Sequence, residues 1–77
     1  KLYPHRAQYY LTLETNSDQL FIEKMVIYNS LGQEVYRREH LKERSYKISV
    51  SDFVSGAYMI HIQTNKGNSS RKFTITR

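Results

Sequence analysis

A chain of 77 residues holds one small domain at most, and a domain of this size buries only about 60% of the surface its unfolded chain exposes. The absence of cysteine excludes a disulfide framework, thiolate metal ligands and a cysteine nucleophile. The net charge of +5 first reads as solubility and second as a leaning towards anionic partners. No apolar run approaches the roughly 18 residues of a membrane span, so membrane insertion is not expected. No signal peptide opens the chain, so an export signal would lie upstream of Lys1. With no Met at its start, the chain is expected to be a piece of a longer protein, steadied by a neighbouring domain.

Taken in order, the elements are strands. Residues 8–15 alternate, with Tyr9, Leu11 and Leu13 expected to face inward. Residues 15–19 are turn formers. Residues 20–29 are apolar without a clean period, as one strand kinked near Glu23 and Lys24 or as two short ones; Met25 and Ile27 are assigned to the core, with Tyr28 partly buried. A tight connection at Gly32 leads into a strand over 33–39, expected to be anchored by Val35.

Residues 38–45 are the most polar stretch and read as a solvated loop, because Leu41 alone makes no helical stripe. Tyr46, Ile48 and Val50 share one face of the next strand. Phe53 is expected to tuck under the turn that follows. Tyr58, Ile60 and Ile62 mark the inward face of a strand over 57–64, leaving His61 outward. Gly67 supplies the positive φ of a hairpin turn, and Phe73 and Ile75 mark the buried face of the last strand. Six or seven short strands with no convincing helix predict an all-β fold, a small antiparallel β-sandwich over residues 1–77.

No chemistry stands out. His5, His40 and His61 lack ligand-like spacing, so no metal site is expected. The glycines are isolated turn residues, with no phosphate loop and no nucleophile elbow. No cofactor and no enzyme activity are expected. Residues 37–47 carry five basic side chains, but interspersed glutamates break the field and no base-stacking platform accompanies them, so nucleic acid is not an expected partner. Tyr10, Tyr28 and Tyr36 are the candidates for a sugar-stacking strip, which keeps a carbohydrate-binding or spacer module as the alternative.

Two stretches carry a more specific pattern: "VIYNSLGQEVY" (Val26–Tyr36) and "ISVSDFVSGAYMIHIQTNKGNSSRKFTITR" (Ile48–Arg77). Together they resemble the C-terminal sorting domain of the type IX secretion system, type A. The matching positions are Gly32, Val35, Gly56, Tyr58, Gly67, Lys72, Phe73 and the final Arg77, over nearly the whole chain. The family's Tyr-Pro-Asn-Pro-like opening is present only as Tyr3-Pro4, with His5 and Arg6 where Asn-Pro is usual.

The resemblance implies an immunoglobulin-like sandwich at the C-terminus of a larger exported protein. It implies a cargo domain ahead of it, periplasmic transit, passage through the type IX translocon, and removal by a surface sortase. It also implies a non-catalytic role. A last strand without a tail is expected to be open to strand addition, with Lys72 and Arg77 as its charges.

Overall fold

The computed structural model describes residues 1–4 and 6–76. Eight strands make up the described residues: β1 (Leu2–Tyr3), β2 (Arg6–Ala7), β3 (Tyr10–Glu14), β4 (Ile22–Asn29), β5 (Glu34–Arg38), β6 (Ser45–Ser49), β7 (Gly56–Thr64) and β8 (Gly67–Ile75). They form two sheets, ordered β1-β3-β6 and β2-β8-β7-β4-β5. The fold is thus all-β, a small sandwich, and β3 to β8 fall in the stretches read as strands, with 20–29 forming one strand, β4.

The two-residue strands β1 and β2 are additions. β1 ends at Tyr3, which a cis peptide bond joins to Pro4, and β1 and β2 belong to different sheets. β2 runs parallel to β8, with Arg6 opposite Thr74 and Ala7 opposite Ile75. This is a departure from a wholly antiparallel sandwich. The pair joins the two ends of the chain, and so short a strand carries no period of its own.

Between the sheets lies one apolar core. Leu11 faces Ile48 across β3 and β6, and Ile27 faces Ile60 across β4 and β7; all four are fully buried. Burying each such side chain stabilises the fold by roughly 1.5–3 kcal/mol. Met25, Val50, Tyr58, Ile62, Phe73 and Ile75 complete the inward pattern, and Phe53 and Tyr46 pack against it from the rim.

Two irregularities in register decide which residues face in. Between β4 and β7 the pairing steps from Ile22–Thr64 to Lys24–Gln63, leaving Glu23 as an extra residue. The kink expected near Glu23 and Lys24 is therefore a bulge in one continuous strand. Between β4 and β5 the pairing steps from Ile27–Tyr36 to Tyr28–Glu34, which makes Val35 the extra residue.

Val35 is 42% exposed, so it does not anchor β5; Tyr36 takes that place, half-buried against the core. Tyr9 is a second correction. It precedes β3 and is 60% exposed, because inward alternation begins only at Leu11. The polar loop over 39–44 is solvated as expected, although Leu41 leans on the core and Glu43 bridges to Ile22.

Candidate functional site

The turn between β4 and β5 is organised by a residue that the sequence reading passed over. Asn29 Oδ1 accepts from the backbone N–H groups of Leu31 and Gln33, both at 3.0 Å. Its Nδ2 donates to Gln33 Oε1 at 2.9 Å. Gly32 then closes the turn at φ 80°, donating to the Asn29 carbonyl at 3.0 Å. The spacing Asn-x-x-Gly is the local signal that would have found Asn29. A second unforeseen residue is Asn65, which ties the β7–β8 turn to the β3–β4 connection. It accepts from Phe21 N–H at 2.8 Å and donates to the Gln19 carbonyl at 2.9 Å.

Of the matching residues of β7 and β8, Tyr58 and Phe73 converge inside the sandwich. Tyr58 lies opposite Phe73, and Gly56 opposite Ile75. The Tyr58 and Phe73 rings stack at 5.6 Å and 17°. Phe53 lies 5.4 Å beyond Tyr58, and Tyr36 lies 6.4 Å beyond Phe53, so four rings form a ladder across the larger sheet. Tyr58 also donates its hydroxyl to the Val54 carbonyl at 2.6 Å, which fixes the loop before β7. At the far end of the ladder, burial first and then a hydrogen bond with Tyr46 push the Tyr36 phenol up to about 12. The nearby Arg38 guanidinium, 4.6 Å from the ring centre, acts the other way.

Tyr58 and Phe73 are therefore fold residues, 6% and 3% exposed. Gly56 and Gly67 hold positive φ values at the starts of β7 and β8. Lys72 alternates with Phe73 and is exposed on the outer face of the larger sheet. Arg77 and His5 lie outside the described residues.

That outer face has a hollow of about 480 Å³ lined by Tyr28, Ala57, Met59 and His61, with Lys72 on its rim. Tyr28 meets His61 edge-on at 5.2 Å, and His61 Nδ1 sits 3.0 Å from the Ser70 hydroxyl. The three tyrosines considered for sugar stacking do not share a surface. Tyr10 faces out from the smaller sheet, Tyr28 lines the hollow on the larger one, and Tyr36 packs on Phe53.

Charge is distributed unevenly. Up to Asp52 the chain carries eight Lys+Arg against seven Asp+Glu; from Phe53 on it carries four and no acidic residue. The acidic groups serve the first part. Arg37 lies between Glu34 and Glu39, at 2.7 and 2.6 Å, and its hydrogen bonds hold both carboxyls below their usual range. Arg44 pairs with Asp18 at 2.9 Å. Among the described residues, no carboxylate reaches Lys66, Arg71 or Lys72 within ion-pair distance.

The fold is a small all-β sandwich in which Tyr58 and Phe73 of the motif are buried, while Gly32, Val35, Gly56, Gly67 and Lys72 lie exposed. The family model described as a secretion system C-terminal sorting domain matches residues 1–76, and the chain belongs to that family, the sorting domains of type IX secretion. No individual curated protein matches the chain. Membership makes the domain a C-terminal sorting signal for export towards the cell surface or beyond, carried on a cargo chain and addressed to the type IX machinery. No helix among the described residues is long and apolar enough to cross a membrane.

Proposed function

We propose that residues 1–77 are the single sorting domain of a larger exported protein. The translocon recognises its folded sandwich after periplasmic transit, and a surface sortase cuts it away near or before Lys1. The domain contributes no catalysis of its own. The family match over residues 1–76 is the observation that carries this reading. The division of its motif residues supports it: Gly32, Gly56, Tyr58, Gly67 and Phe73 build the shape, and Lys72 and Arg77 offer charge to a partner.

The test is delivery. In a bacterium with a type IX system, residues 1–77 are fused behind a periplasm-directed fluorescent reporter, beside a matched fusion lacking Lys72–Arg77. Surface or medium fluorescence that depends on the last residues is the expected result. A folded fusion retained in the periplasm would overturn the proposal.

A further inference from the structure

β8 is an edge strand along most of its length. β7 covers one side from Gly67 to Ile75, but on the other side β2 reaches only Thr74 and Ile75. From Gly67 to Lys72 every residue of β8 is exposed, so neither face is obstructed.

Its backbone is oriented to accept a further strand. Thr76 N–H donates to the Ala7 carbonyl at 2.9 Å, which fixes the sense of outward-pointing groups at that end. Backbone groups alternate sides along an antiparallel strand, and the β7–β8 register is unbroken. The N–H and C=O groups of Asn68, Ser70 and Lys72 therefore point away from β7; the Ser70 carbonyl accepts from the exposed Arg71 guanidinium at 3.3 Å, a contact that an incoming strand displaces.

The opposite edge of the same sheet differs. β5 carries the Val35 bulge, and its Arg37 is already engaged by Glu34 and Glu39. Bulges and satisfied charges are devices that discourage strand addition. β8 has no bulge, and its two adjacent cations, Arg71 on one face and Lys72 on the other, have no acidic partner among the described residues. Two like-charged edges repel, so a second copy of this edge is a poor occupant.

We propose that the β8 edge from Asn68 to Phe73 takes an extended acidic segment of a partner protein as an added strand. Adjacent carboxylates of that segment fall on opposite faces, one beside Arg71 and one beside Lys72. Main-chain hydrogen bonds supply adhesion and the acidic pair supplies selection. The inference rests on the sorting-signal reading and identifies where that signal is read.

The purified 77-residue chain is titrated with the end-blocked peptide TVEEVT while its amide resonances are followed. TVKKVT and the proline-broken TVEPVT serve as controls. Saturable shifts centred on Asn68 to Phe73, slowed exchange at Ser70 and Lys72, and weakening by salt are expected. Arg71→Glu with Lys72→Glu should lower the affinity on the order of tenfold, with a dispersed spectrum as proof of folding. Equal binding of TVKKVT, shifts confined to the Tyr28–His61 hollow, or no shift at millimolar peptide would each overturn the proposal. Strand addition without reporter delivery would sink the export reading alone; delivery without strand addition would sink this one alone.

Discussion

The two ends of β8 lie in different surroundings. At Phe73 and Ile75 the strand is buried in the core, paired with β7 along one side, and at Ile75 with β2 along the other. From Gly67 to Lys72 the same strand is exposed on both faces and open along one edge. The difference teaches that a run of motif residues need not form one site. One half of the Lys-Phe pair secures the fold, and the other half is exposed to solvent.

The largest effect that would sharpen this contrast is Phe73→Ala. It removes the stacked partner of Tyr58 and opens a core cavity, costing about 3–5 kcal/mol, enough to unfold so small a domain; urea denaturation measures it. If the variant folds with near-normal stability, the buried end of β8 is not the anchor described here. Tyr58→Phe keeps the ring and loses only the bond to Val54, so a loss of about 1 kcal/mol is expected in the same assay.

The ladder also has a pH signature. The Tyr36 phenol titrates near 12 in the fold against an ordinary value of 10.0, so the protonated form favours folding. That stability is fully present below pH 10, and it is lost as pH rises through 12. Ultraviolet absorbance should include a late phenol ionisation from Tyr36 that Tyr46→Phe brings earlier. At the open end the expected effect on stability is smallest. Lys72→Ala should change the unfolding free energy by less than about 0.5 kcal/mol, while reporter delivery falls. A stability loss comparable to that of Phe73→Ala would erase the distinction between the two ends.

Much of this fold is visible in the sequence where alternation is regular, as at Leu11 and Leu13, at Ile48 and Val50, and from Tyr58 to Ile62. It fails where an extra residue breaks the period. Val35 looks like an anchor because the alternation is counted straight through the bulge that puts Tyr36 inside. The β2–β8 pair escaped for another reason: it joins distant segments through a two-residue strand, and nothing local encodes it. At the candidate site, Gly56, Tyr58 and Phe73 are legible as a pattern, but the pairing of Tyr58 with Phe73 and of Gly56 with Ile75 is a tertiary fact. The openness of the β8 edge is equally tertiary, since it depends on where β2 stops.

The N-terminal fastening has a mechanical consequence. Tension from a cargo upstream would enter at Lys1 and meet two short clasps in turn, β1 in one sheet and β2 in the other. These are the shortest strands present, whereas the β7–β8 hairpin pairs over its full length. A pull would therefore peel the front of the sandwich before disturbing its last hairpin. Detaching β2 would also strip Thr74 and Ile75 of their neighbour, so a strained tether would lengthen the free margin of β8.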